Sequence, residues 1–107
     1  MDIKRIIQLS SEEKLRWTDH ILKKLLQRGI STTEVQEAIS SSRIIEEYPG
    51  DYPYPSCLVL GLTINKRTLH VVCAINDNDT ELWLITTYVP EKDKWNEDFS
   101  KRKENTK

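Results

Sequence analysis

The clearest hydrophobic pattern lies between residues 69 and 88, where two apolar runs, LHVVCAI and ELWLITTY, flank the polar cluster NDNDT. Runs rich in β-branched and aromatic residues fit a pleated, half-buried surface, and an Asn/Asp cluster ends a strand and turns it. The segment therefore predicts a β-hairpin over 69–75 and 81–88. Pairing Ile75 with Glu81 sets His70 opposite Thr86, with Tyr88 diagonal to it, so an imidazole, a hydroxyl and a phenol share one sheet face. A slip of one residue sets His70 beside Ile85 and Thr87 instead.

Upstream, SCLVLGLTI at 56–64 is nearly continuous in apolar character, as a strand covered on both faces requires, and Gly61 marks a bulge or a close backbone approach. RIIEEY at 43–48 predicts a shorter strand. The prolines of 49–55 exclude regular structure and give a stiff loop presenting Tyr52, Tyr54 and Ser56. Ser10 and Glu13 have capping-box spacing, and the residues after them place Leu15, Trp17, Ile21, Leu22, Leu25 and Leu26 within about half of a helical wheel. A helix is expected over 11–28, stopped by Gly29. Trp17, His20, Lys24 and Arg28 then line one edge of its apolar stripe. A second capping box, Ser31 with Glu34, opens a short helix that buries Val35, Ala38 and Ile39. Residues 1–9 lack a clean period and read as an N-terminal arm, compatible with a short strand or a helical turn. Trp95, Phe99 and Arg102 are spaced for one amphipathic turn or helix against the sheet, ahead of a polar tail.

The expected architecture is α+β: two N-terminal helices over 10–42 packed on one face of a roughly four-stranded antiparallel sheet over 43–90, with a short C-terminal segment over 91–107. At 107 residues, 37% hydrophobic and 31% charged, the chain suits a single domain with a modest core, and it contains no apolar run that reads as a leader or a membrane span. A cytoplasmic protein is expected. The formal net charge of −1 means that any nucleic-acid contact must use a local patch. Cys57 and Cys73 fall inside apolar runs and read as small buried hydrophobes. No Cys-x-x-Cys or His-x-x-x-His spacing occurs, so neither a metal nor a cofactor is expected.

The residues left to carry chemistry are His20, Arg28, His70 and Tyr88, with Lys24, Tyr52, Thr86, Thr87 and Arg102 as substrate contacts. A histidine exchanges protons near neutral pH, an arginine stabilises developing phosphorane charge, and hydroxyl groups orient a phosphate. Such a set suits metal-independent RNA cleavage through the ribose 2′-hydroxyl. Each residue also has a structural reading. A half-buried strand histidine is more often a satisfied structural group, and Arg28 in a last helical turn complements the helix dipole. Tyr88 packs well at a sheet edge, and the proline-rich loop braces as readily as it stacks bases.

The succession His20, Arg28-Gly29-Ile30, Val35, Ile39, EYP at 47–49, YPYPSCLVLG at 52–61, LHVV at 69–72, ITTYVP at 85–90 and Trp95 resembles the bacterial and archaeal domain-of-unknown-function family numbered 4258. The resemblance implies a distant relation to the RelE-like toxin and ribonuclease superfamily, and hence one half of a toxin-antitoxin pair with a small antitoxin protein as partner and RNA as substrate. Carried over by position, it implies that His70 or His20 is the general base or acid, Arg28 the phosphate stabiliser and Tyr88 the group that orients substrate. The alternative it leaves is a non-catalytic RelE/ParE-like binding module acting on a protein target or an antitoxin. In either reading one helix edge and one hairpin face are expected to share a site.

Overall fold

The computed structural model describes residues 1–104 and contains, in order, α1 (Ile3–Ser11), β1 (Leu15–Trp17), α2 (Asp19–Arg28), α3 (Thr32–Ser40), β2 (Arg43–Tyr48), β3 (Ser56–Leu62), β4 (Thr68–Ile75) and β5 (Leu82–Tyr88). The fold is α+β, as expected, but with three helices and a five-stranded mixed sheet of order β1-β5-β4-β3-β2. The antiparallel meander β2 to β5 matches the expected four strands, and β1 adds a fifth, parallel to β5.

The single helix expected over 11–28 does not form, and of the arm, strand or helical turn open to residues 1–9 the chain takes a helix, Ile3–Ser11. Asp2 caps α1 by accepting the Lys4 amide at 2.9 Å, and Ile6, Leu9 and Ser10 are buried on its inner face. Ser10 therefore ends one helix instead of starting another. Glu13 then takes a left-handed φ of 59°, and the chain turns into β1, whose entry is fixed by Leu82 donating its amide to the Lys14 carbonyl at 2.9 Å. The edge of β5 needed a partner for its backbone groups, and that demand outweighed the helical period of Leu15 and Trp17. The working cap of α2 is Thr18, whose hydroxyl accepts from the Ile21 amide at 3.2 Å and donates to the Leu84 carbonyl at 2.9 Å. It ties the helix start to β5. Of the expected stripe, Ile21 and Leu25 are buried, whereas Leu26 is 89% exposed. Gly29 ends α2 at φ 62°, and Ser31 with Glu34 forms the expected reciprocal capping box of α3.

The helices cover one sheet face, built from Cys57, Val59, Leu69, Val71, Cys73, Leu82 and Leu84. Gly61 marks the closest approach, since a Cβ there would fall on the backbone carbonyl of Ala38 in α3. On the other face the 49–55 loop covers one end, where Tyr54 packs edge-on against Trp83 with ring centroids 5.3 Å apart. Residues 91–104 cross the other end as turns, without the helix allowed by the Trp95, Phe99, Arg102 spacing. An isolated bridge joins Trp95 to Arg102. Residues 105–107 of the expected polar tail lie outside the described residues.

The hairpin register differs from the expected one. Ile75 pairs with Leu82, not Glu81, and a bulge between Val72 and Cys73 sets two β5 residues against one step of β4. Beyond it, Val72 pairs with Thr86, Val71 with Thr87 and His70 directly with Tyr88. A strand alternates faces with period two, so the extra residue at Ile85 moves Thr86 and Tyr88 off the face of Leu82 and Leu84 and onto the face of His70. The expected grouping of His70, Thr86 and Tyr88 on one face is thus realised through a bulge.

Candidate functional site

His70 is fully buried. Its Nε2 lies 2.8 Å from the Phe99 carbonyl, which can only accept, so Nε2 carries the proton; Nδ1 then accepts from the Tyr88 hydroxyl at 3.3 Å. The Trp95 ring stands edge-on over the imidazole at 4.4 Å between centroids. Burial pushes the His70 pKa below its ordinary value, and the Phe99 carbonyl only partly offsets this. The imidazole is therefore neutral at neutral pH, with both nitrogens engaged inside the fold. The general base or acid expected of His70 needs a free nitrogen facing solvent, and this geometry offers none.

Trp95 and Phe99 are held over His70 by a polar clamp that the sequence reading missed. Arg102 donates through Nε and Nη2 to the two carboxylate oxygens of Glu46 at 2.9 and 3.1 Å, and its guanidinium lies 4.7 Å from the Trp95 ring centroid. The Tyr48 hydroxyl donates to Glu46 at 2.6 Å. Burial pushes the Glu46 carboxyl upward, but the Arg102 and Tyr48 hydrogen bonds together outweigh it and the net shift is downward. Burial and the Glu46 carboxylate push the Tyr48 phenol up to about 12. The signal was present in RIIEEY, because residues two apart on a strand share a face, placing Glu46 and Tyr48 together on the side of His70.

Beside this clamp, at the end of β5, opens a groove of about 530 Å³ lined by Arg28, Tyr88, Val89, Glu91, Lys94, Trp95 and Arg102. Arg28 reaches it from the last turn of α2, donating Nη1 to the Thr87 carbonyl at 2.7 Å with its guanidinium 6.0 Å from the Tyr88 ring centroid. Burial raises the Tyr88 pKa, so the phenol stays protonated at neutral pH. Lys94 pairs with Glu91 at 3.4 Å and Arg102 with Glu46, so among the described residues Arg28 is the groove cation without a carboxylate partner.

The remaining predicted residues are dispersed. His20 is exposed in the first turn of α2 and lines a separate groove of about 290 Å³ with Thr18, Asp51, Tyr52, Pro53, Tyr54, Trp83 and Ile85. Eight residues at 1.5 Å each put roughly 12 Å of helix between His20 and Arg28. Tyr52 stands 94% exposed there. Lys24 donates to Gln27 at 3.2 Å and enters neither groove. Trp17 belongs to β1. Thr86 shares the His70 face, but Thr87 turns to the helix side, fully buried, its hydroxyl donating to the His70 carbonyl at 2.8 Å. It is a structural strand link, closed to a substrate. Of the helix edge and hairpin face expected to share a site, Arg28 and Tyr88 line one groove, together with Arg102, whereas Trp17, His20 and Lys24 lie outside it and Tyr52 lines the His20 groove. Among the described residues no group of three or more His, Cys, Asp or Glu side chains is placed to hold a metal ion, and no helix is long and apolar enough to cross a membrane.

Fold and site together define a small α+β domain with a sealed histidine and a cation-aromatic groove at one sheet edge. The chain belongs to the family described as "Domain of unknown function (DUF4258)", whose model matches residues 17–89. The match runs from the last residue of β1 to the residue after β5, so α1 and the segment carrying Trp95, Phe99 and Arg102 fall outside it. Neither a curated protein nor a solved structure matches the chain.

Proposed function

We propose that this protein is a non-catalytic binding module of RelE-like type, the toxin-side member of a toxin-antitoxin pair, which takes a segment of a protein partner in the Arg28–Tyr88–Trp95 groove. The observation that carries this reading is the sealed His70. With both ring nitrogens engaged, His70 supplies no proton acceptor to the groove, which holds guanidinium and ammonium groups, a protonated phenol and the Glu91 carboxylate paired with Lys94. One cation without a carboxylate partner, set between Val89, Tyr88 and Trp95, suits a single acidic side chain flanked by apolar residues better than a run of phosphates, which requires several cations in line. Support for the RelE-like relation is the packing of α2 and α3 on the antiparallel strands.

A second reading, RNA cleavage, is favoured by His20, which is exposed, beside Tyr52 and without a hydrogen-bond partner among the described residues. One experiment separates them. The full chain is titrated with a fluorescent peptide carrying one glutamate between leucines, and separately incubated with a labelled single-stranded RNA. The expected result is peptide binding weakened about tenfold by Arg28→Ala, a loss of roughly 1.4 kcal/mol, with RNA left intact. RNA cut by the wild type and spared by His20→Ala overturns the binding reading.

A further inference from the structure

The two cysteines form a feature that the binding role does not use. Cys57 on β3 and Cys73 on β4 are directly paired across the ladder, and both point into the helix-covered core. Their Sγ atoms are 4.0 Å apart, in mutual hydrogen-bond contact, and both residues are fully buried and unbridged. Directly opposed strand residues have Cβ atoms about 4.5–5.5 Å apart, and a disulfide needs about 3.5–4.5 Å, so closure requires a small approach of the two strand backbones at this pair.

We infer that Cys57 and Cys73 are a thiol pair that a hydroperoxide converts to a cross-strand disulfide, pinning β3 to β4. The approach lies on the Cys57 side. The Met1 sulfur sits 3.4 Å from Cys57 Sγ, the Met1 side chain is 11% exposed, and a surface groove lined by Met1, Ser56 and Ile75 adjoins it. The Met1 side chain thus stands between Cys57 and that groove. The pair is also asymmetric. The hydrogen bond from Cys73 holds the Cys57 thiol below its ordinary pKa, while the same bond and burial hold Cys73 up. Cys57 is the sulfur that reacts as thiolate.

The chemistry balances in two steps. The Cys57 thiolate attacks one peroxide oxygen; the O–O bond breaks, a sulfenic acid forms on Cys57, and the other oxygen leaves as alcohol or water with the proton that Cys57 gave up. Cys73 sulfur then attacks Cys57 Sγ, the S–O bond breaks, and hydroxide leaves with the Cys73 proton as water. Two thiols are oxidised and one peroxide is reduced. Cys73 lies within reach of the sulfenic acid, so cross-linking competes with further oxidation.

The test treats the full chain with hydrogen peroxide at neutral pH and follows intact mass, thiols counted after unfolding, and peptides mapped without reduction. Expected are a mass lower by two hydrogens, a fall from two titratable thiols to none, and a peptide linking Cys57 to Cys73. In Cys73→Ala, dimedone traps the sulfenic acid on Cys57. Both thiols surviving after unfolding, oxygen gained only at Met1, or sulfinic acid formed without a cross-link each overturn the proposal. Dimedone labelling of Cys73 in Cys57→Ala at the rate seen for Cys57 overturns the assignment of the attacking sulfur.

Discussion

Replacing His70 with alanine tests whether the imidazole is a structural element. The substitution removes the bonds to the Phe99 carbonyl and the Tyr88 hydroxyl and the edge-on packing of Trp95 and Tyr88 on the ring. At about 1 kcal/mol for the shorter hydrogen bond, less for the longer, and roughly 0.5–1.5 kcal/mol for the aromatic contacts, the loss is about 3 kcal/mol. For a domain of this size about 4 °C of midpoint accompanies each kcal/mol, so Tm falls by roughly 12 °C. The pH dependence is sharper. Because the folded pKa of His70 is depressed, the unfolded chain takes up the proton first. Its contribution is fully present above the unfolded value of about 6.5 and is lost as pH falls from there towards the folded pKa, with a slope of at most about 1.4 kcal/mol per pH unit. His70→Gln keeps a neutral polar side chain and loses that slope. Thermal unfolding at about pH 7.5 measures the first effect, and urea unfolding followed by circular dichroism from about pH 7.5 to about pH 5.5 measures the slope, in a window above the ordinary carboxylate range. A His70→Ala midpoint within about 3 °C of wild type, or an unchanged slope in His70→Gln, would refute the structural role.

Gly61→Ala drives a methyl group into the Ala38 carbonyl, where both sides are backbone, and is expected to cost about 2–3 kcal/mol in urea unfolding. Ala38→Gly does not rescue it, because the obstructing atom is main chain. Thr18→Ala removes the α2 cap and its link to the Leu84 carbonyl, with an expected loss of about 1–2 kcal/mol in the same assay. Glu46 has a depressed folded pKa, so its clamp on Arg102 is present above the unfolded carboxyl value of about 4.3 and is lost as pH falls through the folded one. Glu46→Gln at neutral pH is expected to reproduce the acid state, with faster amide exchange over 91–104 and unchanged exchange in β4.

Local chemistry that acts within a few residues was legible in the chain. Gly29 ends α2 because a left-handed residue is needed there, Ser31 and Glu34 cap α3 reciprocally, and the apolar runs of β3 to β5 lie where their composition placed them. Gly61 likewise marked the close approach to α3. What misled was local pattern read without its competitor: Ser10 and Glu13 have cap spacing, and Leu15 and Trp17 have helical phase, but an open β5 edge took that segment as β1.

The sequence by itself determined an α+β chain with a β4–β5 hairpin carrying His70 and Tyr88, because side-chain periodicity and turn chemistry are written residue by residue. Tertiary structure alone decided what those residues touch. The bulge at Ile85 turns Tyr88 towards His70, and Glu46, more than fifty positions away, holds the Arg102 clamp that seals the imidazole under Trp95. It also leaves Arg28 facing a groove and His20 in another. Register shifts and long-range ion pairs depend on which backbone groups and charges meet after folding, and no local spacing encodes that meeting.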